Sequence, residues 1–433
     1  MAAQDSTGLI RAMGRWTLAA LTINTIVGSG IFGLPSIVAG YLGKQSPLAY
    51  LIAAAGMGIV IACFAELASQ FREAGGPYLY AREAFGRITA IEVGIFLCLI
   101  RLTGAAAAAD LFTDYVAEFW PAAQEPLPRV AIVTLLIGFV AIVNVRGIKF
   151  GASANNVFTV AKLAPLILFA ISGGLFLLLH HPPIAAPAYG VGPARTWNWF
   201  EAVLIVLFGY AGFEGAVVPM SEAKDPQRDA PFALFVALAT VTVLYSSVQY
   251  VVVSLISDPA ATGRPLAAAA RQMWGPSGAL IISLCALISV SGYLLAAMLH
   301  SPRVIFALGE RGDIPRVFAR IHPRYRTPHV SILAFAGVAW FLAVAGSFKW
   351  NVLVSSVGRL VVYGFTCATL PVLRRARPLS HGFRLPAGNV IGALGVLLAA
   401  VLAIRLSWSE QLVIALALVI PVADRVLAGK RAA

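Results

Sequence analysis

Small residues interrupt the first long apolar run of the chain at about the middle of a membrane-spanning length. The run covers residues 18–41 and contains Gly28-Ser29-Gly30 followed by Pro35. Glycine weakens a helix, and proline removes a backbone donor. Because lipid cannot satisfy free backbone groups, such a break is tolerated only beside protein or a watery cavity. Free amides at the start of a half-helix favour an anion and free carbonyls attract a cation. An amino acid carries both charges on adjacent atoms.

A second interruption lies in the sixth apolar stretch. It reads Phe208-Gly209-Tyr210-Ala211-Gly212-Phe213-Glu214-Gly215-Ala216. Glycine is common in membrane helices, so one such segment alone would be weak evidence. Two of them at a five-span offset are typical of a transporter built from inverted repeats, with its binding site near the middle of the bilayer.

The composition sets the class of protein that must position these segments. The 433 residues are 59% hydrophobic and 12% charged, with a mean hydropathy of +0.84, which indicates an all-α polytopic membrane protein. Apolar stretches of roughly 17–25 residues predict about twelve transmembrane helices. The predicted spans are 16–41, 47–68, 88–116, 128–145, 154–179, 199–221, 231–256, 277–305, 329–346, 351–373, 388–406 and 411–427.

The net charge of +13 is spread over alternate loops and does not form a nucleic-acid-binding patch. Most Lys and Arg residues fall in the loops that the positive-inside rule assigns to the cytoplasm. This pattern predicts a multi-pass protein of the cytoplasmic (inner) cell membrane with both termini in the cytoplasm. The four cysteines lie singly in apolar spans, which predicts neither a disulfide nor a metal site. The sequence contains no catalytic or phosphate-binding motif in a suitable context, so we expect neither an enzyme nor a cofactor.

Several motifs together resemble bacterial permeases of the amino acid–polyamine–organocation (APC) superfamily. They are Gly28-Ser29-Gly30-Ile31-Phe32, Gly75-Gly76-Pro77-Tyr78, Asn155-Asn156 with Lys162, Gly212-Phe213-Glu214, Pro302-Arg303, His322-Pro323-Arg324 and Leu370-Pro371. The resemblance implies one transmembrane domain over residues 1–433. Its 5+5 inverted-repeat (LeuT-like) core would cover 16–373, as halves 16–179 and 199–373 with broken helices 1 and 6. Helices 11 and 12, residues 388–427, would be peripheral.

The resemblance also implies where a substrate would bind. Its carboxylate would meet the backbone amides around Ser29 and Gly30, and its ammonium would meet carbonyls of the two breaks. Tyr293 would form an aromatic wall against the substrate side chain. The residues expected around the substrate are Ile26, Gly28, Ser29, Gly30, Phe208, Ala211, Gly212 and Tyr293.

Two charged residues near the breaks are candidates for coupling. An ionisable group at mid-membrane depth is costly, which favours a functional role for Glu214. Resembling transporters link an acidic residue there to proton coupling or pH sensing, whereas the alternative is a carboxyl that only binds the unwound backbone.

In sodium-coupled proteins of this fold a cation lies between spans one, five and eight. Lys162 is expected to place its ammonium there and to remove the need for sodium; the alternative is a lysine that snorkels to the surface.

Arg101 and Arg359 lie deep inside spans three and ten, where a guanidinium is rarely left unpaired. Either they form structural pairs, with Asp110 or Glu92 as possible partners for Arg101, or one of them holds a substrate carboxylate. Tyr210 and Phe213 flank the second break and are candidate gating residues, although an aromatic side chain in a membrane helix more often serves packing.

These observations lead to one prediction and two alternatives. We expect a sodium-independent secondary transporter of amino acids that works by alternating access, as a proton-linked symporter or an exchanger. We expect no obligatory protein partner besides the lipid bilayer. The alternatives are a transporter of polyamines or other amines, which the central basic excess disfavours, and a membrane sensor that binds an amino acid without moving it.

Overall fold

The structure is a computed structural model that describes residues 14–71, 76–147, 152–180, 196–217, 224–312, 314–376 and 382–403. Within these ranges all regular structure is helical, as expected for an all-α membrane protein. The predicted span 411–427 lies outside the described residues. The α-helices are α1 (Arg15–Ile26), α2 (Gly30–Leu42), α3 (Ser46–Gln70), α4 (Pro77–Phe85), α5 (Arg87–Val116), α6 (Pro126–Val145), α7 (Ala152–His180), α8 (Thr196–Tyr210), α9 (Phe213–Ala216), α10 (Pro226–Leu255), α11 (Pro265–Arg311), α12 (His329–Ala345), α13 (Phe348–Ala376) and α14 (Gly388–Ala403).

Seven helical stretches of the described residues are long and apolar enough to cross a membrane. One of them, Gly30–Gln70, contains both α2 and α3. Three shorter apolar helices accompany them: Asn198–Tyr210, His329–Ala345 and Gly388–Ala403. The first and sixth predicted spans are each divided into two helices, so α1 and α8 are shorter than the apolar runs that contain them. The protein therefore has the helical content and hydropathy of a polytopic membrane protein.

The longest helix contains a bend near one end. Gly275 in α11 has a φ of 71° and is followed by Pro276, so the backbone is not helical at that point. Proline removes a backbone donor, and glycine is the residue that readily adopts a positive φ. The predicted eighth span begins at residue 277, directly after this bend, and the residues before it form a separate helical segment.

Helices from the first half of the chain pack against helices from the second half. α3 packs against α10 and α8, and α1 also packs against α10. α5 packs against α13 and α11, α7 packs against α11, and α6 packs against α12. α1 contacts α9, whereas α2 contacts α8, so the two interrupted spans run antiparallel side by side. The stretch 105–109 of α5 is five consecutive alanines, all fully buried, and such small residues let membrane helices approach closely.

Candidate functional site at two interrupted helices

The break between α1 and α2 contacts the break between α8 and α9. A Cβ atom on Gly30 would lie only 3.0 Å from the Cα of Gly209. A Cβ atom on Gly212 would lie 2.3 Å from the carbonyl oxygen of Thr25, closer than a real Cβ contact. Residues without a side chain are therefore required where the two backbones meet.

Gly212 provides a direct test of this contact. Its φ is 114°, so alanine at this position would be strained by about 1–2 kcal/mol even without a clash. Because the added Cβ would also overlap the Thr25 carbonyl, we expect Gly212→Ala to lower the melting temperature of the purified protein clearly. Gly138→Ala is the matched control, since a Cβ on Gly138 of α6 meets no atom within 4 Å. Equal melting temperatures for both variants would contradict the close approach.

Backbone donors are left free at the first break. Ser29 is only 3% exposed, and its carbonyl accepts hydrogen bonds from the amides of Phe32 and Gly33 at 3.2 and 3.3 Å. Among the described residues, no backbone carbonyl accepts a hydrogen bond from the amides of Gly28 or Ser29. A buried amide without a partner costs about as much as a lost hydrogen bond. These two amides can therefore bind an anionic or carbonyl oxygen in the interior.

The Lys162 side chain of α7 reaches the carbonyl side of the same break. Its Nζ lies 2.6 Å from the carbonyl oxygen of Asn24 and 2.6 Å from that of Val27, and the residue is only 7% exposed. The thiol of Cys285 in α11 lies 3.5 Å from the carbonyl oxygen of Lys162. Lys162 therefore lies where α1, α7 and α11 meet, and its ammonium binds the first break and does not extend to the protein surface.

A buried carboxylate and a buried guanidinium connect the second break to α13. Glu214 Oε2 accepts a hydrogen bond from the Gly212 amide at 2.7 Å. Its Oε1 accepts from Arg359 Nε at 3.4 Å and from the Tyr363 hydroxyl at 3.3 Å. The Arg359 guanidinium also lies over the ring of Phe208, with 5.2 Å between Cζ and the ring centroid. Arg359 is therefore paired with Glu214, a partner that the sequence left open.

Arg359 also extends this network to the third predicted span. Its Nη1 donates to Ser355 Oγ at 2.6 Å, and the Ser355 hydroxyl donates to the Ile100 carbonyl of α5 at 3.0 Å. One hydrogen-bonded chain thus joins the break after α8 to α13 and α5. A change of charge at Glu214 would act on all three elements.

Arg101 differs from Arg359, because the suggested pairing with Asp110 is wrong. Asp110 Oδ1 accepts from Arg129 Nη2 at 2.7 Å, and its Oδ2 accepts from the Asn351 amide at 3.1 Å. Asp110 is nine positions after Arg101 on the same helix, which places the two side chains on opposite faces about 13.5 Å apart along the axis. Within the described residues Arg101 is half-buried and forms no ion pair.

The aromatic candidates occupy different surroundings. A Cβ on Gly28 would lie 3.7 Å from Tyr293 Cδ2, and a Cβ on Gly104 would lie 2.6 Å from the Tyr293 hydroxyl oxygen. Tyr293 is therefore close to both the first break and α5. Tyr210 instead donates its hydroxyl to the Tyr50 carbonyl at 3.0 Å. Phe213 packs edge-to-face on Phe64 with 5.0 Å between ring centroids, so these two side chains lie in the packed core.

Three polar side chains at the first span were not expected from sequence. The Tyr245 hydroxyl donates to the Ile26 carbonyl at 3.3 Å, and the Tyr115 hydroxyl donates to the Phe32 carbonyl at 3.0 Å. Gln249 donates to the Pro35 carbonyl at 3.2 Å and to Ser46 Oγ at 2.7 Å. The sequence feature that could have identified them is a polar side chain inside an otherwise apolar span, because such side chains are usually hydrogen-bonded within the protein interior.

Comparison with known proteins agrees with this architecture. The model of the amino acid permease family matches residues 13–421. A methylthioribose transporter of Bacillus subtilis (strain 168) is 27% identical, covering 89% of this chain and 86% of its own length. A branched-chain amino acid permease of the same organism is 24% identical, covering 92% of this chain and 89% of its own length. Its serine/threonine exchanger is 27% identical, covering 76% and 75%.

The family match extends over nearly the whole chain and includes both interrupted helices. The relatives are transporters and permeases, in keeping with the apolar helices of the structure. The chain therefore belongs to the amino acid permease family of the amino acid–polyamine–organocation superfamily, whose members are multi-pass membrane transporters and not enzymes.

Proposed function

We propose that this chain is a sodium-independent secondary active transporter that carries an amino acid across the cytoplasmic membrane. The observation that carries the proposal is the contact of Lys162 Nζ with the carbonyl oxygens of Asn24 and Val27, both at 2.6 Å. Carbonyls freed by a helix break attract a cation. A covalently attached ammonium satisfies them permanently, so a sodium ion is not needed to hold the break in place.

The substrate class follows from the groups that the breaks leave available. In this proposal the free amides of Gly28 and Ser29, together with that of Gly30, bind the carboxylate of an α-amino acid. The carbonyls of Ile26, Phe208 and Ala211 bind its ammonium next to the turn at Gly212. The Ile26 and Phe208 oxygens use the lone pair that the Tyr245 hydroxyl and the Ala211 amide leave unused. Tyr293 contacts the side chain. The named substrates of the relatives vary, and amino acids are the class that the permease and the exchanger share.

The helix packing supports an inverted-repeat core of ten spans, five from each half of the chain. Spans one to five contain α1, α3, α5, α6 and α7, and the corresponding spans six to ten contain α8, α10, α11, α12 and α13. If each helix is exchanged with its counterpart, the pair α1–α10 becomes α8–α3. The pair α5–α13 becomes α11–α7. Both members of each exchanged pair are packed together in the structure. The pairs α3–α10, α6–α12 and α5–α11 transform into themselves and are also packed. This correspondence is what two repeats related by a two-fold axis in the membrane plane require.

For coupling, we propose that Glu214 takes up a proton or senses pH, in symport or exchange. Its carboxylate binds the Gly212 amide at the break and Arg359 on α13, so protonation would weaken the connection between them. Tyr210 and Phe213 anchor the two sides of this break in the core. The positive charges of Arg101 and Lys162 near the centre disfavour a polyamine, which they would repel.

Counterflow into liposomes that contain the purified protein tests this function. Liposomes loaded with one unlabelled amino acid should accumulate the labelled form equally in sodium and in choline buffers. An imposed pH gradient should change the accumulation if transport is proton-linked and should leave it unchanged in pure exchange. Accumulation of polyamines alone would favour the amine alternative. Binding of an amino acid without accumulation of any compound would favour a sensor.

A further inference from the structure

A cavity of about 320 Å³ lies where α6 ends and α12 begins, and no residue of the two interrupted helices lines it. One part of its wall is apolar, formed by Ile142, Val145 and Leu333. The other part carries Arg146, His322 and His329. The lining is therefore mostly apolar, with basic side chains in one part of the wall, at the end of two packed membrane helices.

The basic part of the wall offers unused hydrogen-bond donors. His322 Nδ1 accepts from the amides of Arg324 and Tyr325 at 3.2 and 3.3 Å, which leaves Nε2 of the same ring to carry a hydrogen. His329 Nδ1 is buried and has no hydrogen-bond partner among the described residues, so His329 contributes its ring and not an accessible donor to the wall. Arg146 is exposed and adds a permanent positive charge. This set of groups suits an anion with several acceptor oxygens, such as a phosphate.

The connection between the helices holds these donors in place. The Thr327 hydroxyl donates to the Val145 carbonyl at the end of α6 at 2.6 Å, and the His329 amide donates to the Thr327 carbonyl at 2.8 Å. The rings of His322 and His329 contact each other edge-to-face with 5.3 Å between centroids. The basic wall is thus docked on α6.

The apolar part of the cavity continues onto the outer faces of both helices. Ile142 is 53% exposed and Leu333 is 56% exposed, and further along the same helices Phe139 and Phe341 are also exposed. In a membrane transporter, large exposed apolar side chains of this kind face lipid acyl chains. A ligand that fits must therefore combine an anionic headgroup with hydrocarbon.

We propose that this cavity is a binding site for an anionic phospholipid of the surrounding bilayer. The headgroup phosphate binds Arg146 and His322 beside the ring of His329, and an acyl chain runs along Ile142 and Leu333. Basic pockets between membrane helices at the bilayer surface bind anionic headgroups in this way. The site is separate from the substrate site, so the proposal does not depend on which compound is transported.

Native mass spectrometry of the purified full-length protein tests the proposal. The protein is titrated with phosphatidylglycerol and, separately, with phosphatidylcholine of the same acyl chains. We expect one phosphatidylglycerol to stay bound at concentrations that leave no phosphatidylcholine bound. Arg146→Gln should weaken this binding about fivefold, the effect of one basic side chain near a membrane surface. Leu333→Trp should remove it by filling the apolar part of the cavity.

Arg228→Gln is the matched control, because the Arg228 side chain is 89% exposed and lies at the start of α10, away from the cavity. It should bind phosphatidylglycerol like the unmodified protein. Melting temperatures show whether each variant remains folded. Equal phosphatidylglycerol binding by all folded variants would overturn the site. Competition by inorganic phosphate alone at similar concentrations would overturn the lipid assignment and indicate a soluble anion instead.

Discussion

Replacement of Lys162 by methionine is expected to reduce counterflow by a factor of about 100 or more, because two charge-assisted hydrogen bonds worth roughly 1.5–3 kcal/mol each are lost. Methionine has nearly the same length and keeps the apolar contacts of the side chain. It removes the ammonium from the carbonyls of Asn24 and Val27, which Nζ contacts at 2.6 Å. The first break then no longer keeps the arrangement that presents the Gly28 and Ser29 amides to a substrate.

Lys162→Ala tests whether the lysine ammonium replaces a coupling cation or only donates hydrogen bonds. In Lys162→Ala the two carbonyls lose the ammonium, and the volume of the lysine side chain is vacated. If the ammonium stands in for a coupling cation, sodium should partly restore counterflow in this variant while having no effect on the unmodified protein. Lys224→Gln serves as the control, since Lys224 is exposed in the segment before α10.

Two results would contradict the proposed role of Lys162. Transport at the unmodified rate in Lys162→Met would show that the ammonium is not required. Sodium stimulation of the unmodified protein would show that Lys162 does not replace a sodium ion. In each case the melting temperature must first show that the variant is folded, because a buried donor also contributes to stability.

The interrupted helices could be predicted from sequence because their cause is local. Gly28-Ser29-Gly30 and Gly209 to Gly212 weaken the helix in which they lie, and no distant residue is needed to explain the break. Lys162 could be assigned to the first break only through the family resemblance. Nothing in the amino-acid pattern of α7 indicates which carbonyls its ammonium contacts.

The partners of buried charges were harder to predict, because they depend on packing between distant parts of the chain. Glu214 and Arg359 are 145 positions apart, and Tyr245 and Ile26 are 219 positions apart. Pairing Arg101 with Asp110 on the basis of sequence proximity ignored the helical period. A separation of nine residues is two and a half turns, so the two side chains point in opposite directions.

Charge neutralisation at the second break has the other large expected effect. Glu214→Gln keeps a hydrogen-bond acceptor for the Gly212 amide but leaves the buried Arg359 guanidinium without a counter-charge. Breaking a buried ion pair by removal of one partner typically costs about 3–5 kcal/mol. We therefore expect a marked decrease in melting temperature, together with loss of the response to an imposed pH gradient.

The double variant Glu214→Gln/Arg359→Gln distinguishes a structural role from a coupling role. Removal of both charges also removes the unpaired buried cation, so the double variant should melt at a higher temperature than Glu214→Gln alone. If Glu214 carries the coupling proton, counterflow in the double variant should still not respond to the pH gradient. If the carboxylate only holds Arg359 in place, restored stability should be accompanied by a restored pH response.

Tyr363→Phe is the control for this comparison. It removes the hydroxyl that donates to Glu214 Oε1 at 3.3 Å but leaves the charges of Glu214 and Arg359 unchanged. Loss of one neutral hydrogen bond typically costs about 1 kcal/mol, so the decrease in melting temperature should be smaller than in Glu214→Gln. The pH response should persist, because the group that exchanges the proton is still present. A Tyr363→Phe protein that is stable but insensitive to pH would move the coupling role from the carboxylate to the hydroxyl that binds it.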